Sequence, residues 1–336
     1  MKAIQMTETG TADVLKHVEL TDPVPAAGEV LIRVESAAVN FADVARRRGD
    51  RYPDPTPLPF TPGAEVAGTV AAVGDDVTGV GVGTPVFGSV GPYANGGYAE
   101  FSLARQSNVI PLPPGVDPDL AAGLLAVGLT ATLILTETAN LAEGQSVFIP
   151  AAAGGVGSYA VQIAKTLGAS TIIAGASTPE KREIALRHGA HHAIDYRQEN
   201  WPAQVRELTD GKGVDVGLDM MGPKHLPATL SALAPFGRLV TYGAITGLDG
   251  QHLDGDALTP LIYDPAPGQS LTGFNLGAWF ALRPERAIGG LGRLLGWISE
   301  GKVTGPTIHP MPLAEAAEAH RLLESGSATG KLILKP

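Results

Sequence analysis

Residues 146–168 read SVFIPAAAGGVGSYAVQIAKTLG, and the segment AAAGGVG, Ala151–Gly157, decides the fold. An apolar strand, a glycine-rich turn and a helical pattern succeed one another without a break. Against G-x-G-x-x-G the three positions fall on Ala152, Gly154 and Gly157, so alanine replaces the first glycine. The flanking strand and helix give the match its weight. They put free backbone N–H groups and the positive helix end where a pyrophosphate can sit. A glycine-rich turn without a ligand is the alternative.

Beyond this segment, strands alternate with helices: STIIAGA, PEKREIALRHG, HAIDY, WPAQVRELTDG, VDVGLDM, PKHLPATLSALAPFG and GRLVTYGAI. SLTGFNLG supplies a sixth strand after a long loop. Gly168 suits the C-terminal cap of the first helix. This alternation predicts an α/β doubly wound parallel sheet of the Rossmann type. Residues before about Pro114 read differently, as short β-branched runs such as EVLIRVESAAV and AGTVAAVG parted by turn signals. They predict a compact, mostly β domain. The segments RPERAIGGLGRLLGWISEGKV and AEAAEAHRLLESGSATGKLIL read as helix, then helix and strand, returning to that first domain. The expected boundaries are 1–122 with 278–336, and 123–277 for the nucleotide domain.

The chain has 336 residues, enough for two cores. Its net charge of −10 gives nucleic acid or an anionic membrane no electrostatic footprint. The longest apolar run, AAGLLAVGLTATLIL, is shorter than the roughly 20 residues that span a bilayer, and MKAIQMTETG has no apolar core of signal-peptide length. A soluble, cytoplasmic protein is expected. There are no cysteines, which removes disulfides, thiolate nucleophiles and cysteine-ligated metals. One basic cluster, Arg46, Arg47, Arg48 and Arg51, reads either as a solvated helix end or as a group near an anionic ligand. His188, His191 and His192 have partly metal-like spacing, but Gly189 ends the helix between them, so a structural turn is expected. In PGAEVAG, Pro62–Gly68, Glu65 stands among small residues, where a buried carboxylate is costly.

An NAD site places an acid at the end of the second strand to hold the ribose hydroxyls. Here that strand runs into Ala176-Ser177-Thr178-Pro179, and the only nearby acid, Glu180, falls inside the next helix. Ser177, Thr178, the helix start after Pro179, Lys181 and Arg182 suit a 2′-phosphate. NADPH is therefore the expected cofactor, with Tyr196 able to reach the same phosphate from the adjacent strand end.

The segments AAAGGVGSYAVQIAKTLGA, NFADVARRRG, PGAEVAGTVAAVG and GLTA stand in the order found in one superfamily. Over essentially its whole length the chain resembles the medium-chain dehydrogenase/reductase superfamily, and within it the zinc-independent quinone oxidoreductases related to zeta-crystallin. The resemblance implies a GroES-like, mostly β catalytic domain completed by the C-terminal segment. It further implies NADPH binding, an active site in the cleft against the Rossmann domain, and a homodimer, which we expect to pair through the SLTGFNLG edge. Ser177, Thr178, Lys181 and Tyr196 match positions around the adenosine phosphate. Ala153, Gly154, Gly155, Val156 and Gly157 match the pyrophosphate turn. Asn40, Thr130, Tyr242, Gly243, Ala244, Phe274, Asn275, Leu276 and Lys331 complete the implied cofactor set.

Zinc alcohol dehydrogenases resemble the chain in the same segments. Their first ligand corresponds to Asn40 and their second to Ala64, and AGLLAVGLT, where the third falls, contains no ligating side chain. No zinc of that kind is expected. A simple ketone needs a Lewis acid or a strong proton donor to manage alkoxide charge, whereas a quinone or an α,β-unsaturated carbonyl delocalises it. The resemblance thus implies an NADPH-dependent reductase of a small-molecule quinone or enone, with Asn40 orienting the substrate and Tyr52 a candidate proton donor. Tyr52 as a loop-packing aromatic is the alternative. Ala45 and Val127 depart from the quinone oxidoreductase pattern, which often has tyrosine and lysine there. Two other functions stay open: an enoyl-thioester (enoyl-CoA/ACP) reductase using the arginines at 46–51 for a phosphate, and a non-catalytic NADPH-binding protein. The acceptor is expected beside Tyr52, VGPYANGG and the loop at 246–269.

Overall fold

The computed structural model describes residues 1–243, 261 and 268–336. Strands β1 (Lys2–Gln5) and β2 (Lys16–Glu19) form an antiparallel ribbon. Then come β3 (Glu29–Ala38), helix α1 (Phe41–Arg48), β4 (Glu65–Val73), β5 (Pro85–Ser89), β6 (Phe101–Arg105), β7 (Val109–Pro111) and the short helix α2 (Pro118–Ala121). A π-helical turn, Leu124–Leu129, runs into α3 (Thr130–Leu133). The alternating part is next: β8 (Ser146–Ile149), α4 (Gly155–Thr166), β9 (Thr171–Gly175), α5 (Pro179–Arg187), β10 (His192–Ile194), α6 (Trp201–Glu207), β11 (Val214–Asp219), α7 (Leu226–Ser231), β12 (Leu233–Thr241) and β13 (Ser270–Gly273). Helices α8 (Leu276–Leu282) and α9 (Pro284–Ser299) precede β14 (Ile308–Pro312), α10 (Ala316–Glu324) and β15 (Lys331–Lys335).

The chain divides into two compact units, Met1–Ala126 with Thr307–Pro336, and Val127–Pro306. The first carries a seven-stranded sheet in the order β14-β15-β3-β4-β5-β7, with β6 also paired to β3. Its long strand β3 buries nearly every residue on the core side, and Ile32, Val34, Val66, Val86, Phe60 and Leu334 fill the interior. The second unit carries a six-stranded parallel sheet in the order β10-β9-β8-β11-β12-β13. All four residues of β8 are buried, as a central strand covered on both faces requires. Phe148 stacks on Trp201 with ring centroids 4.6 Å apart, within a core that also holds Ile173, Val205 and Leu239. The order reverses between β8 and β11, and that switch point is where a doubly wound sheet offers its crevice.

Residues 278–306, which the sequence reading groups with the first domain, belong to the second unit. The buried face of α9, Ala287, Gly290, Leu291 and Leu294, packs on α3 and its neighbours. A Cβ at Gly290 would come within 2.8 Å of Leu133, so glycine sets the close approach. Gln162 of α4 then ties the segment end, donating to Gly305 O at 2.9 Å and accepting from Thr304 N at 2.7 Å. Gly168 is left-handed (φ 80) after α4, the expected cap. His188 caps α5, Gly189 is left-handed, His191 Nδ1 accepts the Ile172 N–H at 3.0 Å, and His192 opens β10.

Candidate active site

In the second unit the turn after β8 explains the altered glycine motif. Its left-handed residue is Ala151 (φ 47), so position 152 does not require glycine's freedom and its alanine is buried. Gly157 is strict: a Cβ there would lie 2.3 Å from Ala151 O. Gly154 caps α4 without a side-chain acceptor, and Gly155, Val156 and Gly157 are its first helical residues. Their N–H groups have no i−4 partner, the arrangement in which a helix start can take an anion.

The next strand end carries no acid. Thr178 is the N-cap of α5 and accepts the Lys181 N–H at 3.3 Å. Burial, then the neighbouring Arg197, lowers the Lys181 pKa. Tyr196 packs over Gly175, where an added Cβ would meet its ring at 2.9 Å. Asp195 is engaged by Arg197 at 2.8 and 3.0 Å, with Arg182 at 3.6 Å, and the Arg197 hydrogen bond first of all holds its carboxyl at about 2. Further along the sheet, Tyr242 and Gly243 come after β12, while Phe274, Asn275 and Leu276 come after β13. Phe274 N donates to Thr241 O at 2.8 Å, and Asn275 caps α8 by accepting the Ala278 N–H at 3.1 Å. The structure thus brings Ala153–Gly157, Ser177, Thr178, Lys181, Tyr196, Tyr242, Gly243 and Phe274–Leu276 to the carboxyl ends of parallel strands. Thr130 is buried on α3. Ala244 lies outside the described residues, as does most of the 246–269 loop. These N–H groups and cations fit a dinucleotide bearing a 2′-phosphate.

The first unit holds a buried polar network around the start of α1. Asn40 is 7% exposed and serves as the N-cap. Asp43, one turn on, closes back to accept the Asn40 N–H at 2.9 Å and also accepts Gly63 N at 3.1 Å and the Tyr98 hydroxyl at 3.2 Å. Tyr98 in turn meets His320 Nε2 of α10 at 3.2 Å. The Asn40 side chain points elsewhere. Its Nδ2 donates to Glu65 Oε1 at 3.0 Å, and its Oδ1 accepts from Lys331 Nζ, which also donates to Val39 O at 3.0 Å. Lys331 lies 3.7 Å from Glu65 Oε1, and Glu65 Oε2 accepts the Ala126 N–H of the π-helical turn at 2.8 Å. The amide orientation is dictated by chemistry: an ammonium only donates and a carboxylate only accepts, so the oxygen faces Lys331 and the nitrogen faces Glu65.

Burial drives the titration of this cluster. It raises the Glu65 and Asp43 pKa values and lowers that of Lys331, while the opposite charges and the hydrogen bonds work against it. Tyr52 is half-buried under the Arg46 guanidinium, 5.4 Å from its ring centroid. Burial raises the Tyr52 pKa, assisted by Asp43 and Asp54 and opposed by Arg46. No described hydrogen bond joins Tyr52 to Asn40. The basic cluster fits neither sequence reading as a whole. Arg46 and Arg47 are buried, Arg47 pairs with Glu324 at 2.5 Å, Arg48 pairs with Asp50, and Arg51 is exposed. Sequence reasoning misses Asp43, Tyr98 and His320; an acid three residues after Asn40 is the one local signal for the first.

Residues 26–114 match the family described as alcohol dehydrogenase GroES-like domain, and residues 155–263 match the one described as zinc-binding dehydrogenase. A quinone oxidoreductase of Pseudomonas aeruginosa is 36% identical over 336 residues, covering 100% of this chain and 99% of its own. A 2-haloacrylate reductase of a Burkholderia species is 33% identical, with 93% and 92% covered. Among solved structures, the Escherichia coli quinone oxidoreductase complexed with NADPH superposes with a TM-score of 0.90 at 29% identity, both chains being covered completely. A doubly wound sheet joined in sequence to a GroES-like β unit defines the medium-chain dehydrogenases and reductases. The chain belongs to that superfamily, in its zeta-crystallin-like quinone oxidoreductase branch. Among the described residues no three histidine, aspartate or glutamate side chains gather as a metal site, and no helix is long and apolar enough to cross a membrane.

Proposed function

We propose that the protein is a zinc-independent, NADPH-dependent reductase that delivers hydride to a quinone or an α,β-unsaturated carbonyl. The observation that carries the reading is the Asn40 amide, clamped between Lys331 and Glu65, at the position that the resemblance matches to a zinc ligand of the alcohol dehydrogenases. The NADPH complex of the Escherichia coli relative and the names of the two curated relatives support it.

When bound, NADPH would supply the hydride; the N–H groups of Gly155, Val156 and Gly157 would hold its pyrophosphate, and Ser177, Thr178, Lys181 and Tyr196 its 2′-phosphate. One Asn40 N–H is spent on Glu65, and the second donates to the acceptor oxygen, where charge builds as hydride arrives. A neutral amide suffices for a phenolate or enolate, whose charge is already spread over the acceptor. Tyr52, whose phenol carries a proton at neutral pH, delivers the balancing proton.

The thioester reading needs the arginine cluster as a phosphate grip, and three of its four members are already engaged. The test is turnover of NADPH against a quinone panel and against crotonyl-type thioesters. Quinone or enone reduction is expected. Turnover of thioesters alone would sink the proposal, and cofactor binding without any turnover would favour the non-catalytic alternative. For the cofactor, Lys181→Ala is expected to raise the KM for NADPH roughly tenfold, about the value of one charge-assisted hydrogen bond, while leaving that for NADH nearly unchanged. Equal effects on both cofactors would misplace the phosphate site. We also assign a homodimer to the β13 edge, supported by α8, which succeeds that edge strand and buries none of its seven apolar-rich residues. Sedimentation as a monomer at micromolar concentration would refute it.

A further inference from the structure

Arg46 is 3% exposed, yet its partners are not acids. Its Nη1 donates to Tyr93 O at 2.6 Å and to Ala94 O at 2.9 Å, its Nη2 to Pro55 O at 2.6 Å, and its Nε to Thr56 Oγ1 at 3.1 Å. The guanidinium carbon also sits 4.4 Å from the Phe60 ring centroid and 5.4 Å from that of Tyr52. One side chain of α1 therefore fastens two loops that share no strand: residues 52–60, which carry Tyr52, and the turn at 91–97. The turn is shaped for the contact. Ala94 is left-handed (φ 48), and the Asn95 side chain accepts the Tyr93 N–H at 3.1 Å. Gly96 N and Gly97 N then donate to Thr61 O and Gly63 O, beside the Glu65 and Asn40 network.

A planar fork is needed here because two loops must be reached from one point, with ring faces to stack on. Four hydrogen bonds to neutral acceptors leave no pair of N–H groups for a bidentate grip on a substrate anion. Burial lowers the Arg46 pKa, and Asp43, Tyr52 and Asp54 oppose it.

We infer that Arg46 is a positioning residue that sets acceptor specificity by holding the Tyr52 loop and the Tyr93–Ala94 turn at a fixed separation. The inference rests on the acceptor-reduction reading, but its structural half is testable without turnover. In the full-length protein, Arg46→Met keeps an apolar stem and removes every donor. Arg46→Lys keeps the charge but not the fork.

Hydrogen exchange is expected to show segments 52–60 and 91–97 losing protection together in Arg46→Met, with Arg46→Lys recovering little. Steady-state kinetics should show the KM for quinone rising roughly tenfold in both variants, with the KM for NADPH within about twofold of wild type, since the hydrogen-bond partners of Arg46 all belong to the first unit. Loosening of only one loop, full rescue by lysine, or an equal rise in both KM values would overturn the clamp. If wild type reduces no acceptor, the functional reading fails while the exchange result still decides whether Arg46 couples the loops. If Arg46→Met does not fold, the exchange pattern and KM split of Arg46→Lys decide the matter alone.

Discussion

Lys331→Met is expected to cost about 3–5 kcal/mol of stability and to lower kcat on the order of 10²-fold while NADPH still binds. The stability loss comes from what remains behind. Glu65 would stay buried with its carboxylate hydrogen-bonded to Ala126 N and Asn40 Nδ2 but without its countercharge 3.7 Å away. Its pKa, already raised by burial, would climb further, which favours the protonated form. A protonated Glu65 can donate, which removes the reason for the Asn40 nitrogen to face it. Once Lys331 no longer donates to Oδ1, the amide is free to flip, and the donor proposed for the acceptor oxygen is misplaced.

The double variant Lys331→Met/Glu65→Gln separates the two effects. Removing the stranded carboxylate should restore most of the stability, because glutamine still offers an oxygen to Ala126 N. It should not restore kcat, because the amide's orientation rested on two opposite charges. Urea denaturation and steady-state kinetics on the two variants check this. A stability loss below about 1 kcal/mol for Lys331→Met would show that the pair is not a buried ion pair in solution. A rise in the NADPH KM without a change in kcat would instead return Lys331 to a cofactor role.

The second unit is legible in the sequence because its information is local. A strand, a turn and a helix contiguous at 146–168 carry both the period change and the glycines that the phosphate turn needs, and Gly168 marks the helix end within the same window. The network around Asn40 is not legible for the opposite reason. Lys331 reaches Asn40 across 291 residues and His320 reaches Tyr98 across 222, and no periodicity encodes such pairings. Residues 278–306 show the limit of amphipathic patterns. The pattern of α9 states that a face is buried, but not that Leu129 and Leu133 lie opposite it. The arginine cluster shows another limit: three successive helical residues point in three directions about 100° apart, so one charge run cannot share one fate. Two of these arginines turn inward.

His320 should make the protein acid-sensitive in a way that one substitution removes. Its imidazole is buried on α10, and burial, with the Arg47 charge adding to it, lowers its pKa from the usual value to about 3. The groups facing it are Tyr98, which links it to Asp43, and Arg47, which pairs with Glu324 one turn along α10. Above about pH 6.5 the histidine is neutral in both folded and unfolded chains and its titration has no effect. As pH falls from there towards 3, the unfolded chain takes up a proton that the folded chain refuses, so stability is lost across that window. The loss by about pH 4.5 is about 2–3 kcal/mol. Asp43 and Glu65 act in the opposite sense. Their raised pKa values make the folded state bind protons first, which favours it on acidification. The wild-type curve alone mixes the two signs; the difference between wild type and His320→Gln isolates the histidine. Glutamine keeps a polar group for the Tyr98 hydroxyl and cannot titrate. The difference in unfolding free energy between about pH 7 and pH 4.5 should therefore be smaller in the variant by that same 2–3 kcal/mol. Denaturation curves that shift in parallel for the two proteins would mean that His320 is protonated in the fold, and the Arg47–His320 contact would then have to be repulsive and relaxed in solution.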